Sequence, residues 1–471
     1  MSPLIYYLGA FMIYTVSIIL LTGQSFAEKE TMRSFYIDSC RTGWLRSLST
    51  FCATWMSPLS LIGFGIWFYN EGWIAFWASV NGWMLGLLFF PFAVRRLRAA
   101  RVTSLPEWLE KKYGDSRVRS LVALTMIFLY VIYLVIQFRA FGIIVSYMLE
   151  IPQGFAATSL IYLFVLYTTF GGYPSVARSD ALNLVLIVIG VAVAAWCSLP
   201  EGVDFSSAAA VLREETSEFS MTKFSLNTFF SSFAIMLAWG LGVAGNPQYT
   251  IRIIACRSSR DAYRMLAAAP YIIGFIYFCL TFFVLVCRFR FPEATAAEET
   301  LAFAKLAQLL PTYASTLLLI CVIASAVSTA NSQLLLAACS LCYDFLPIKR
   351  FEENAGPFRE ERFLFINRVA VTVLASAALL LSHAGLPGYI RLGTISWTLV
   401  AIAFFYPLFT PRLIVPQLLF YVLSGALGLQ FLLVFVFGRE PELAMLLVLF
   451  CEALVFAFFK KFPGALRCFA R

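Results

Sequence analysis

Ser325, Ser328, Thr329 and Ser332 recur at i, i+3, i+4 and i+7 inside the stretch Ser325-Ala326-Val327-Ser328-Thr329-Ala330-Asn331-Ser332. On an α-helix that spacing puts all four hydroxyls on one face. A hard cation such as sodium needs about five or six oxygens, and neutral hydroxyls with backbone carbonyls supply them without burying net negative charge. The same stripe has a plainer use, because membrane Ser and Thr also bond back to their own helix or join neighbouring helices. Arg139 is a second chemical marker: a guanidinium inside an apolar run is costly and faces a cavity or a partner. Its planar fork suits a carboxylate; the alternative is snorkelling, since it lies about 13 Å from the outer end of its helix. Gln137, Trp55, Ser57, Ser60 and Trp239 are candidates to line a pocket around it, the aromatics as walls and the polar groups for orientation.

Other reactive residue types carry less. Cys339 and Cys342 form the only CxxC spacing, inside an apolar run where packing is the expected role. His383 is the single histidine, so no zinc or nucleophilic centre has support. Asp180 fits a helix N-terminus, where the dipole favours a carboxylate. Asp344 reads as a solvated helix end, and Glu452 has no evident partner.

The elements that must hold these residues are membrane helices. Apolar residues make up 61% of the 471 positions and charged residues 13%, far from the balance of soluble domains. Apolar blocks able to cross about 30 Å at about 1.5 Å per residue are expected at 3 to 23, 45 to 70, 73 to 94, 118 to 148, 154 to 171, 180 to 199, 224 to 245, 264 to 288, 312 to 345, 364 to 383, 388 to 409, 414 to 437 and 443 to 459. Runs such as 184 to 196 are apolar on all sides, which excludes the alternating pattern of a β-barrel. Met1 to Tyr7 carries no Lys or Arg, so the first block is expected to be a retained helix rather than a cleaved leader. The polar stretches 200 to 223 and 289 to 311 are loop-sized, which leaves one membrane domain.

The net charge of +9 falls mostly in alternate loops and sets orientation; it does not point to nucleic acid. Lys29, Arg33 and Arg41, then Arg95 to Lys112, then Arg252, Arg257 and Arg260, then Lys349 to Arg362, and finally Lys460 and Lys461 share one side. The loops 71 to 72, 149 to 153 and 384 to 387 on the other side have no basic residue. Thirteen spans then put the N-terminus outside and the C-terminus in the cytoplasm.

Ser57, Pro58, Gly63 and Gly65 interrupt the second span; Gly240, Gly242, Gly245 and Pro247 interrupt the seventh. Two interrupted spans five helices apart fit a pair of inverted repeats whose first helices expose backbone carbonyls to a cavity. For either span alone, glycines that merely allow close helix packing explain the pattern as well.

Several segments together resemble the sodium:solute symporter family, nearest to its pantothenate and proline branches. They are Val327 to Leu336, Ala53-Thr54-Trp55-Met56-Ser57, Thr168 to Asp180 with its Gly-Gly and Ser-Asp, Asn246-Pro247-Gln248 followed by Arg252, and Leu105-Pro106-Glu107 to Tyr113-Gly114. The resemblance implies an all-α polytopic protein with a LeuT-type 5+5 inverted-repeat fold. Residues 1-471 would form a single transporter domain: 3-23 an extra N-terminal helix, 45-199 repeat 1, 224-409 repeat 2 and 414-459 peripheral helices. It also implies a sodium site from the Ala53 and Met56 carbonyls with Ser325, Ser328 and Thr329, and a second sodium position at Asp180. Span two runs outward and span nine inward, which puts these groups at compatible depths.

A similarly placed arginine holds the acid group of the solute in the family's sialic acid branch, whereas Trp55 replaces the aspartate of the proline branch. The expected function is sodium-coupled import of a small organic carboxylate (sialic acid, pantothenate, an amino acid or a monocarboxylate) across the plasma membrane. The expected partners are that solute, Na+ and the lipid bilayer, with no nucleic acid and no obligatory protein. A proton-coupled transporter on the same fold and a transporter-like solute sensor stand as alternatives; a membrane enzyme lacks a convergent catalytic set.

Overall fold

The computed structural model describes residues 3–23, 31–199, 226–290, 299–346 and 359–462. For 160–170 and a few helix ends it describes the backbone alone. The expected loop 200 to 223 and the basic residues Lys29, Lys349 and Arg350 lie outside these residues.

Among the described residues, eleven helices are long and apolar enough to cross a membrane, and one bent pair makes twelve. The fifth expected span, 154 to 171, is not separate: it is the first part of a 46-residue helix, Gln153–Ser198. That length is about 69 Å, more than twice the hydrocarbon thickness, and the helix breaks at Gly172 with φ 48° and ψ −151°. Only glycine holds that conformation cheaply, and a Cβ there would also sit 2.6 Å from the Phe35 carbonyl oxygen.

In chain order the helices are α1 (Pro3–Gly23), α2 (Met32–Ile37), α3 (Trp44–Trp55), α4 (Phe64–Glu71), α5 (Trp73–Leu87), α6 (Phe90–Ala99), α7 (Leu105–Tyr113), α8 (Ser116–Leu149) and α9 (Gln153–Ser198). They continue as α10 (Leu226–Gly245), α11 (Pro247–Ala255), α12 (Ser259–Arg290), α13 (Glu299–Gln308), α14 (Thr312–Cys339), α15 (Arg359–Ser382), α16 (Tyr389–Phe409), α17 (Leu419–Phe431) and α18 (Pro441–Lys461). The helix α13 occupies part of the stretch 289 to 311 that reads as a loop in the sequence. Burial sorts the bundle. The most apolar window of the α14 span is 89% buried, against 17% for α1, 28% for the span containing α17 and 33% for α18. The hydroxyl stripe therefore lies on the central helix, while α1, α17 and α18 face outward with apolar side chains such as Ile13, Leu20, Phe431 and Phe450.

Both expected interruptions exist, but the glycines do not make them. The axes of α3 and the Leu59–Glu71 segment differ by 57° across Met56 to Pro58, and α10 gives way to α11 at Asn246, whose ψ is 121°. Proline ends each helix by lacking an N–H. Gly82, Gly86 and Gly240 instead let α5 and α10 touch: a Cβ on Gly86 would lie 2.6 Å from the Gly240 carbonyl oxygen, and one on Gly82 2.7 Å from that of Met236.

Candidate ion and solute site

The break after α3 releases three carbonyls. Thr54 O has no partner four residues on because that residue is Pro58. Ser57 N–H turns back to Trp55 O (3.0 Å), which frees Ala53 O, and Ser60 N–H goes to Ser57 O (2.8 Å), which frees Met56 O. Buried carbonyls need partners, and α14 provides two. Ser328 Oγ donates to Ala53 O at 2.8 Å and Thr329 Oγ1 to Thr54 O at 3.4 Å. Ser328 also reaches the Ser325 carbonyl at 3.2 Å, whereas the Ser325 hydroxyl bonds back to Val322 O at 2.7 Å. Ser325 thus offers its backbone oxygen, not its side chain, to the cluster. Ala53, Met56, Ser325, Ser328 and Thr329 are all fully buried. Thr54 O was missed in the sequence, although its position four residues before a proline was the available signal.

Beside this face lies a packed cluster of aromatic rings. Trp239 stacks on Trp83 at 5.2 Å, Trp83 on Tyr277 at 5.0 Å, and Trp397 stands edge-on to Trp239 at 4.8 Å. Trp239 Nε1 donates to Thr394 Oγ1 (2.9 Å). Ser57 Oγ and Tyr133 OH lie 3.3 Å apart, Gln137 Nε2 donates to Tyr133 O (3.3 Å), and Tyr133 approaches Trp397. Gln137 Oε1 and the indole nitrogens of Trp83 and Trp397 are buried without a hydrogen-bond partner among the described residues. Trp55 points elsewhere, its ring 4.6 Å from Tyr249, but its carbonyl accepts Ser60 Oγ at 2.9 Å. Trp83, Tyr133, Tyr277, Thr394 and Trp397 were not singled out from sequence, because aromatic residues in apolar runs look like packing.

Residues 35–437 match the sodium:solute symporter family. The chain belongs to that family. A sodium/proline symporter of Haemophilus influenzae is 25% identical over 423 residues, covering 82% of this chain and 79% of that protein. A second, of Staphylococcus aureus, is 26% identical over 331 residues, covering 66% of this chain and 62% of the relative. Among solved structures, a Na+-coupled sialic acid symporter in its substrate-bound outward-open state superposes with a TM-score of 0.80 at 14% identity, over 96% of this chain and 98% of that one. A manganese transporter of Eremococcus coleocola reaches 0.53 at 12% identity, over 92% and 98%. These two matches establish a LeuT-type fold. The protein is a multi-pass plasma-membrane symporter that imports a solute with sodium, not an enzyme.

Three charged residues of the symporter depart from their expected settings. Asp180 is not at a wetted helix start: it is fully buried, accepts a short hydrogen bond from Thr50 Oγ1, and lies 4.0 Å from Arg252 Nη2. Arg252 does not belong with the loop charges, being 1% exposed. Asp344 is not solvated, since Arg119 Nε (2.9 Å) and Ser104 Oγ (2.7 Å) hold it in the interior. In each case a buried charge finds its counter-charge on another helix, as a low dielectric demands. Arg139 is spent on a loop, donating to the Leu386 and Pro387 carbonyls at 3.2 and 3.1 Å, and it is not brought to the aromatic cluster. Outside the spans, α7 is fastened by Glu107. Burial raises its pKa, but Lys111 at 2.8 Å and the Thr103 N–H more than offset this and leave it below the usual carboxylate value.

Proposed function

We propose that sodium binds between the α3 break and α14, on Ala53 O, Thr54 O, Ser325 O, Ser328 Oγ and Thr329 Oγ1, with Met56 O completing the shell. The observation that carries this is the set of three carbonyls freed by the break at Met56 to Pro58, two of them faced by buried hydroxyls. Every donor is a neutral oxygen, which suits a hard monovalent ion. At ion–oxygen distances of about 2.3–2.6 Å, adjacent ligand oxygens lie about 3.3–3.7 Å apart. The Thr329–Thr54 pair is already at 3.4 Å; the Ser328–Ala53 pair, at 2.8 Å, opens by about half an ångström. Sodium therefore replaces two hydrogen bonds and fixes the end of α3 against α14. Asp180 retains its place as a candidate for a second ion.

The solute is a small organic carboxylate received beside that break by Ser57, Ser60, Gln137 and Trp239. The indole N–H groups of Trp83 and Trp397 and the Gln137 amide oxygen gain their missing partners from it. Walls built mostly of aromatic rings favour an amino-acid-sized solute over a sugar acid, in line with the proline named for the relatives. Because Trp55 and Ser60 belong to the same break, sodium orders part of the solute site, and by linkage the solute tightens sodium equally. The bundle is read as two repeats, 45–199 and 224–409, rocking within lipid with the basic loops in the cytoplasm.

A thermal-shift screen of the purified protein against amino acids, monocarboxylates, pantothenate and sialic acid, each in sodium and in potassium, tests this. One solute should stabilise in sodium only. Equal shifts in both salts would remove sodium coupling at this site.

A further inference from the structure

A cavity of about 690 Å3 lies between the first turn of α1, the last turn of α8, the end of α13 and the first turn of α14. The adjoining loop 149 to 153 has no basic residue, which marks the outer side of the membrane, so the cavity sits at headgroup depth. Its outermost wall is α1, whose Ile5, Leu8 and Met12 are exposed, and it stands at the lipid edge of the bundle. The ion face begins about 15 Å further along α14. One side of the cavity is apolar, with Pro3, Leu4 and Leu310; the other carries Tyr147, Gln308, Thr312 and Glu150. Among the described residues Glu150 is the only charged group that lines it, and Glu150 breaks two local rules at once. It caps α8 in the left-handed conformation, φ 54° and ψ 36°, which favours glycine or asparagine. It also puts a carboxylate at a helix C-terminus, where the dipole favours a cation. The Tyr147 hydroxyl beside it is buried without a hydrogen-bond partner among the described residues. Residues that break local rules together are expected where a ligand compensates for them.

We propose that this cavity binds the headgroup of an aminophospholipid of the outer leaflet, phosphatidylethanolamine in class, with the ammonium on Glu150 and the phosphate on the Tyr147 hydroxyl. The ammonium supplies the cation that the α8 terminus lacks, and its N–H groups donate to a carboxylate. A choline headgroup has no N–H to donate, and a glycerol headgroup carries no cation. Thr312 and Gln308 add donors for phosphate oxygens, while Leu4 and Leu310 meet the start of the acyl chains. A water-soluble amine would leave that apolar side unmatched. Tyr7 OH and Ser315 Oγ, 3.3 Å apart, already join α1 to α14 at this level, and the lipid fastens the same two helices through its headgroup. The peripheral α1 is thereby tied to the helix that carries the ion face.

Native mass spectrometry of the delipidated full-length protein, titrated with phosphatidylethanolamine, phosphatidylcholine or phosphatidylglycerol of the same acyl chains, reads the preference. The wild type should hold phosphatidylethanolamine at one site several-fold more tightly than either other lipid. Glu150→Gln should bring phosphatidylethanolamine down to the level of phosphatidylcholine, and Tyr147→Phe should weaken both lipids alike. Glu440→Gln, which neutralises another outer carboxylate at the start of α18, should keep the wild-type preference. Glu150 is exposed and Tyr147 loses no hydrogen bond within the protein, so both variants should fold. Equal retention of the three lipids by the wild type, or an undiminished preference in Glu150→Gln, would overturn the proposal. Displacement of the lipid by an equal concentration of glycerophosphoethanolamine would make the cavity a water-facing amine site and overturn the lipid assignment.

Discussion

Ser328→Ala removes one hydroxyl from the proposed ion shell and orphans the carbonyl of Ala53, both fully buried. In sodium-free buffer the orphaned acceptor costs about 1–3 kcal/mol. The ion loses one neutral ligand, worth about 1.5–3 kcal/mol on the scale of a hydrogen bond to a charged group, which raises the sodium half-saturation about 10- to 150-fold. At a sodium concentration 100 times the wild-type half-saturation, the wild type gains about 2.7 kcal/mol. The variant gains about 0.3–1.4 kcal/mol at the same concentration. The readout is the sodium-minus-potassium difference in thermal unfolding within each protein, so that the lower sodium-free stability of the variant cancels. Thr372→Ala, which removes an exposed hydroxyl bonded only to its own helix, serves as control. Adding Thr329→Ala should abolish the difference, although contacting ligands do not add independently. A Ser328→Ala protein with the wild-type difference would refute the assignment of the ion to the α3 break.

Pro58→Ala returns an N–H to the Thr54 carbonyl and should raise stability in potassium while shrinking the sodium response; an undiminished response would separate the break from ion binding. Gly86→Ala should lower the melting temperature by several degrees, since its Cβ meets backbone at 2.6 Å and overpacking costs about 1–3 kcal/mol. Gly274→Ala, with nothing within 4 Å, should be neutral or stabilising, and equal losses at both sites would discount the α5–α10 contact. Glu107, held below its ordinary pKa, contributes stability that is present above the unfolded carboxylate value and is lost as pH falls through the folded one. Glu107→Gln should flatten acid melting curves over that window, and an unchanged acid slope would assign the loss to other carboxylates.

Ser325, Ser328, Thr329 and Ser332 were readable as one face because helical periodicity is local, and Pro58 marked the break because a missing N–H is a property of one residue. Nothing local distinguished the packing glycines at 82, 86 and 240 from the helix-breaking Gly172; all four meet a neighbour closely, and only the positive φ of Gly172 sets it apart. Of the aromatic cluster only Trp239 was legible: Trp83, Trp239 and Trp397 are far apart in sequence and meet only when α5, α10 and α16 pack.

The sequence by itself determined the membrane class, the course of most spans and the shared hydroxyl face of the central helix, because hydrocarbon thickness and helix period leave few solutions for a chain with 13% charged residues. Only the tertiary structure decided where the rare charges go. Asp180 with Arg252, Asp344 with Arg119, and Arg139 with the 386–387 carbonyls are pairings between distant segments. In a medium without water, the fate of a charge is set by which helix packs beside it, and that is written in the bundle rather than in the local sequence.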